Sequence, residues 1–291
     1  MNRRHFLASA LATPLAAGAG KPSKPILCIF SKHMAKLSLE QLAKTAKEMG
    51  FEGVDLTVRP GGHVLPEQAP ADLPRAAGIL RDGGLQVPMV TTAITSSSDP
   101  LARPLLAAAG KLGIPCWKAG YLRYDFDHLD RGLKQTRQMA LELATLSREC
   151  GTACGIHNHS GNNLGAAVWD TERAIEGLDP RWIGFYFDPG HATIEGGLAG
   201  WRLSEALVLP RLKMVAIKDF YWAKKSGKWE PQWCPLGEGM VNWTEVFKVL
   251  AGAGFSGPLS LHLEYDARDE MAAIAKDLDY LKKLTAQIYS A

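Results

Sequence analysis

Eight times in succession the chain alternates a short, continuous apolar run with a longer stretch of helical apolar periodicity, and this alternation restricts its fold more than any other feature. The runs lie at residues 25–30, 53–58, 86–92, 116–119, 153–159, 183–187, 214–219 and 259–265. Between and after them the periodicity predicts helices over 37–49, 73–80, 100–112, 133–148, 169–176, 201–209, 243–251 and 270–288. Ser38 stands where the first helix needs a cap and Gly50 where it needs a stop. Strands that are apolar throughout are buried on both faces, the condition of a parallel sheet covered by helices. Eight such units close into a (β/α)8 TIM barrel, an α/β fold, and 291 residues suit one such domain. An open doubly wound sheet is the competing arrangement, but no G-x-G-x-x-G follows the first strand. No linker interrupts residues 20–291, which read as one barrel.

The first residues are of another kind. Arg3-Arg4 precede Phe6-Leu7 and a run of small residues too short and too mildly apolar to span a membrane, the pattern of a twin-arginine export signal. Ala17-Gly18-Ala19 offers a cleavage site, so residues 1–19 are expected to be a signal peptide, and the mature chain to be periplasmic or exported, bacterial, and folded before it crosses the membrane. A formal net charge of +3 with no basic cluster gives no footprint for nucleic acid, and nothing implies stable membrane association. A homo-oligomer is left open. The five cysteines lack C-x-x-C spacing and read as small buried hydrophobes rather than disulfides or a zinc site.

In a barrel the chemistry sits at the C-terminal ends of the strands, so the polar residues there are the candidates. The fifth run ends in His157-Asn158-His159, the sixth in Asp188 and His191, the seventh in Lys218-Asp219, and the eighth in His262 and Glu264. Side chains alternate along a strand, so His157 and His159 share a face, as do His262 and Glu264. Imidazoles and carboxylates gathered at one mouth suit a divalent cation such as Mn²⁺, Co²⁺, Mg²⁺ or Zn²⁺.

Over nearly all of its mature length the chain resembles the xylose isomerase-like barrels, the sugar phosphate isomerases and epimerases. The matching segments are Ile156-His-Asn-His159, Phe187-Asp-Pro-Gly-His191, Val215-Ala-Ile-Lys-Asp-Phe220, Pro235-Leu-Gly-Glu-Gly-Met-Val-Asn-Trp243 and Leu261-His-Leu-Glu264. The resemblance implies one divalent metal, held by Glu, Asp, His and Glu at the ends of strands five to eight, and proton transfer between adjacent carbons of a sugar through an enediolate. By position Asp188 and Glu264 match ligands and His191 the substrate-facing histidine, whereas His157 replaces a Glu and Ala216 a His. The expected metal set is therefore Asp188, Glu264, His157 and His262, with a weak or vacant site left open by Ala216.

With one of the family's two glutamates kept, a one-base reaction is expected: isomerisation or epimerisation of a sugar or polyol, or alternatively a β-elimination on an oxidised sugar or glycoside. A non-catalytic sugar-binding barrel is the third reading. Glu264 or His157 would be the base, and Lys118, Lys218 or His191 would steady the oxyanion. Residues 221–243 are expected to form a long loop whose Trp222, Trp229, Trp233 and Trp243 cover the substrate. Arg59, His63 and Tyr121, with His159, Lys118, Trp222 and Glu238, complete the substrate-binding candidates.

Overall fold

The computed structural model describes residues 24–290, so the export signal and the start near Gly20 lie outside the described residues. The barrel strands are β1 (Ile26–Phe30), β2 (Gly53–Thr57), β3 (Gln86–Thr91), β4 (Cys116–Lys118), β5 (Ala153–His157), β6 (Ile183–Phe187), β7 (Leu212–Ile217) and, last in sequence, β10 (Pro258–Leu261). They are parallel and closed in the order β1-β10-β7-β6-β5-β4-β3-β2. Eight helices wrap the outside: α1 (Leu39–Met49), α2 (Ala69–Asp82), α3 (Ala102–Lys111), α4 (Leu129–Cys150), α5 (Trp169–Ile175), α6 (Pro189–Val208), α7 (Trp243–Gly252) and α8 (Glu270–Tyr289). The first follows its sequence signals closely. Ser38 and Gln41 form a reciprocal capping box, and Gly50 ends the helix at φ 88°, a conformation costly for any residue with a Cβ.

Two cores follow from the alternation of side chains along each strand. Outward residues such as Val54, Val90, Val215 and Leu259 pack under the helices in the main core. Inward residues Met89, Cys116, Ala153, Tyr186, Met214 and Ala216 fill the lower barrel. Gly155 belongs to the same inward row, and a Cβ there would lie 2.1 Å from the Met214 methyl, so a larger residue would oblige that side chain to move. Above this layer the inward positions turn polar: Asp55, Thr91, Lys118, His157, Asp188, Lys218, Ser260 and His262. All five cysteines are free, with Gly151 at φ 74° ending α4 before it could carry Cys150 toward Cys154.

The structure departs from expectation in two places. Asp188-Pro-Gly-His191 is no simple turn: α6 begins at Pro189, well before residue 201, and the Asp188 side chain caps it by accepting from the His191 N–H. Proline at the first helical position costs nothing there, because its missing N–H has no helical partner anyway. The long loop after β7 is instead an antiparallel hairpin, β8 (Asp219–Lys225) and β9 (Lys228–Cys234). Its turn, Ser226-Gly227, has φ of 49° and 83°, the positive values that a two-residue hairpin turn requires. The hairpin is anchored at its base by Asp219. That buried carboxylate accepts from the backbone N–H groups of Phe220, Gly237, Gly239 and Val241 and from the Trp243 indole. The segment 235–243 is thus held by a knot beside the barrel rather than by a substrate.

Helix α6 also carries Glu205, fully buried with no hydrogen-bond partner for either carboxylate oxygen among the described residues. Burial pushes its carboxyl up to about 8, against an ordinary value of 4.5. The folded state therefore prefers the neutral acid, and the stability this residue permits is complete below pH 4.5 and declines as pH rises through 8. Glu205→Gln is expected to raise the thermal midpoint near about pH 9 and to leave it little changed near about pH 4. Equal midpoints for the two proteins at high pH, measured by differential scanning calorimetry, would contradict this.

Candidate active site

The polar inward layer opens into a cavity of about 390 Å³ at the C-terminal end of the barrel. Its walls include Arg59, Lys118, Tyr121, His157, His159, His191, Lys218, His262 and Glu264, so most of the sequence candidates do meet there. Phe30, Lys32, Ser160, Tyr186 and Trp233 also line it.

Asp188 lies at the centre, wholly buried. Its Oδ1 accepts from the His191 backbone, and its Oδ2 accepts from His157 Nε2 at 3.2 Å and forms an ion pair with Lys218 Nζ at 3.1 Å. Asn158 grips the same residue by its backbone, accepting from the Asp188 N–H and donating to its carbonyl. Burial alone would raise the carboxyl, but Lys218, His191 and His157 outweigh it and hold Asp188 well below the usual carboxylate range. Because Nε2 of His157 donates to a carboxylate, its Nδ1 accepts, and Tyr121 O–H supplies the bond at 2.9 Å. Lys218 Nζ also donates to His191 Nε2 at 2.9 Å, so Nδ1 of that ring carries the proton and donates it to Ser160 Oγ. The same ammonium lies 4.6 Å from the Trp233 ring centre. Burial pushes the imidazoles of His157 (to about 3), His191 and His262 down, so all are neutral near pH 7.

His159 differs from these. Its Nδ1 donates to the Ser160 carbonyl at 2.9 Å, with Asn163 Nδ2, which donates to the same carbonyl, 3.2 Å away, while its Nε2 has no hydrogen-bond partner among the described residues. The ring packs on His191 with centroids 3.9 Å apart. A neutral imidazole with one lone pair free in the cavity is a general base ready to act. Glu264 is not free in this sense, since both its oxygens accept from Lys32 Nζ, at 3.2 and 3.1 Å, at the rim. In His157 both ring nitrogens are occupied. Glu264 and His157 are thus both engaged, whereas His159 Nε2 is unbonded.

The expected metal set is not assembled. Among the described residues no three His, Cys, Asp or Glu side chains converge to hold an ion. The face of Asp188 that a cation would take holds the Lys218 ammonium, Glu264 is engaged with Lys32, and the His157 nitrogen facing Asp188 is a donor. A divalent metal does not fit these donors. Ala216 explains part of this: it is buried in the lower layer, and the next inward residue on that side of the barrel is Lys218, which reaches Asp188 instead.

Three substrate candidates lie elsewhere. His63 bonds Thr57 beside the barrel, Trp222 is exposed on the hairpin, and Glu238 pairs with Lys276 on the surface. Of the tryptophans expected to form a lid, only Trp233 reaches the cavity; Trp229 points to solvent and Trp243 belongs to the Asp219 knot. Sequence reading missed a buried network on the floor. Asp55 accepts from Thr91, Ser260 and Tyr186, and the Tyr186 hydroxyl accepts from His262 at 3.0 Å. Burial pushes the Asp55 carboxyl up to about 6. The signal was present in Gly53-Val-Asp-Leu-Thr57, where alternation puts Asp55 on the inward row.

A family model described as xylose isomerase-like TIM barrel matches residues 43–284. The chain belongs to that family. It is similar to an inosose dehydratase of Bacillus velezensis, 26% identical over 167 residues, covering 54% of this chain and 51% of that protein. The chain thus spans about half the length of the inosose dehydratases it matches. Among solved structures it is similar to 3-keto-D-glucoside 4-epimerase of E. coli, with a TM-score of 0.71, 16% identity, and coverage of 89% of this chain and 100% of that one. A xylose isomerase-like barrel of Mycobacterium smegmatis in complex with magnesium gives a TM-score of 0.67 at 16% identity, covering 91% and 98%. At these identities the structural likeness shows the fold.

Isolated without chelator, the protein is expected to hold less than about 0.1 equivalent of divalent metal by plasma emission spectroscopy. Excess Mn²⁺ or Co²⁺ should leave the thermal midpoint unmoved, whereas a specific site at 100 times its Kd would add about 2.7 kcal/mol.

Proposed function

We propose that this chain is an enzyme of sugar metabolism that moves a proton on the carbon next to a carbonyl in an unphosphorylated sugar or cyclic keto-polyol. The observation that carries this reading is His159, an imidazole with an open Nε2 in a cavity that Lys118 also lines from the adjoining strand β4 and whose centre holds the Lys218 ammonium fixed on Asp188. Abstraction of a proton next to a carbonyl needs a base for the proton and fixed positive charge for the oxygen, and a preorganised cation costs nothing to reorient as charge develops. His191, held between Ser160 and Lys218, is a positioning residue that keeps that ammonium aimed. Phe30, Tyr121 and Trp233 supply apolar and aromatic wall for the carbon face of a ring.

The reaction reads first as isomerisation or epimerisation through one base, because no second free carboxylate faces His159 across the cavity. Loss of a β-hydroxyl as water is the second reading. It draws support from the similarity to inosose dehydratases, whose name describes such an elimination. Export through the Arg3-Arg4 segment is part of the proposal and favours substrates without phosphate.

Incubation in deuterated water with a panel of ketoses and keto-inositols should introduce deuterium next to the carbonyl, read by NMR; a panel without exchange would favour a binding protein. His159→Gln is expected to lower kcat by roughly 10²- to 10⁴-fold with little change in KM. Burial lowers the His159 pKa from 6.5, so the free base persists to lower pH and the acid limb of kcat/KM should fall below pH 6.5. Arg3→Lys with Arg4→Lys should hold the protein in the cytoplasm, and periplasmic fractionation of the doubly changed chain checks it.

A further inference from the structure

Of the three lysines that line the cavity two are buried, Lys118 and Lys218, and their settings are opposite. Lys218 is locked between Asp188, His191 and the Trp233 ring. Lys118, the last residue of β4 and only 3% exposed, lies in no ion pair: those of the mouth join Lys218 to Asp188 and Lys32 to Glu264. Its Nζ rests 3.4 Å from the centre of the Tyr121 ring, whose own hydroxyl is tied to His157. A ring face steadies an amine without taking its lone pair. Burial first, and then the charge of Arg59, lower this amine from 10.5 to about 7, with Asp55 opposing and Lys218 adding to the effect. Near neutral pH much of Lys118 is therefore a free amine at the wall of the cavity. Desolvation beside another cation is one of the ways proteins make a lysine nucleophilic.

We propose that Lys118 is a catalytic residue that forms a covalent iminium with the ketone of a keto-polyol bound in the mouth. This deepens the proton-transfer function proposed above and rests on it. The amine lone pair attacks the carbonyl carbon; a C–N bond forms, the C=O π pair moves to oxygen, and that oxygen takes a proton from the nitrogen, which thereby regains its lone pair. A second proton releases that oxygen as water while the nitrogen lone pair closes C=N⁺. His159 then removes the neighbouring C–H proton, the bond's electron pair becomes C=C, and the C=N π pair returns to nitrogen as an enamine. From there the chain has two exits. The proton returns to carbon, or the enamine expels a β-hydroxyl, which leaves as water with the proton held by His159. Either exit restores an iminium, and water adds to it to release product and free amine. The step consumes no oxidant or reductant. An iminium nitrogen gives this mouth an electron sink built from its own side chains, where its carboxylates and imidazoles do not converge on an ion.

Trapping tests the assignment. With sodium cyanoborohydride and either inosose, dihydroxyacetone or D-fructose, peptide mass spectrometry should find the reduced adduct on Lys118, formed roughly tenfold or more faster than on exposed Lys44. Formaldehyde with the same reductant is a substrate-independent probe, and Lys118 should be methylated with a half-maximal rate near pH 7. Labelling of Lys118 no faster than Lys44 with every carbonyl, or adducts confined to Lys218, overturns the proposal. Lys118→Arg keeps a cation over Tyr121, and its folding is checked by circular dichroism; it should lose both the adduct and ketone-dependent deuterium exchange, and retained exchange overturns the covalent role. Exchange without a Lys118 adduct leaves the proposed proton transfer standing and removes this inference. An adduct without exchange does the reverse.

Discussion

The arrangement of the mouth depends on one buried ion pair, Asp188 with Lys218. Two charges brought into a low-dielectric interior are costly unless each also completes its hydrogen bonds, and here both do. The carboxylate accepts from a helix N-terminus and an imidazole and pairs with the ammonium, and the ammonium donates in turn to His191 and faces an aromatic ring. From this pair the tautomers of His157 and His191 follow, and from them the engagement of Tyr121 and Ser160. His159 is left with an unbonded Nε2 at the cavity wall, and His262, whose Nε2 donates to Tyr186, with an unbonded Nδ1.

The same pair changes what the family's barrel mouth does with Asp188. In a metal site that carboxylate would contribute charge to a mobile divalent ion; here its charge is answered by a side chain anchored to β7. A fixed ammonium polarises an oxygen in one place only, which suits a preorganised site. Lys118, on the opposite side of the barrel and answered by no carboxylate, then has a chemistry that Lys218 lacks.

The barrel was legible because eight apolar strands and their helical intervals repeat a pattern that only a closed, helix-covered parallel sheet satisfies. The strand ends were legible for the same reason, since alternation names the inward residues, and nine of the expected side chains line the cavity: Arg59, Lys118, Tyr121, His157, His159, His191, Lys218, His262 and Glu264. The misreadings are of one kind. Trp222, Glu238 and His63 sit near the right strands in sequence, but the hairpin geometry, a surface Lys276 and the Thr57 hydroxyl take them away. Asp219, next to Lys218, points the other way by simple alternation and ties down the segment after the hairpin.

By itself the sequence determined the architecture, the end of the barrel that carries the site, and the set of side chains available there, because periodicity and alternation are local properties of a chain. Which of those side chains is paired and which is free was decided only by tertiary structure. Lys32 and Glu264 stand 232 residues apart, and so cannot be coupled by any local rule; yet their contact removes Glu264 from the role of base. Lys118 and Lys218 are indistinguishable as residue types, and only the placement of Asp188 beside Lys218 and of the Tyr121 ring beside Lys118 separates the paired lysine from the unpaired one. Hydrogen-bond partners and burial set protonation, and both are products of the closed barrel rather than of any segment of it.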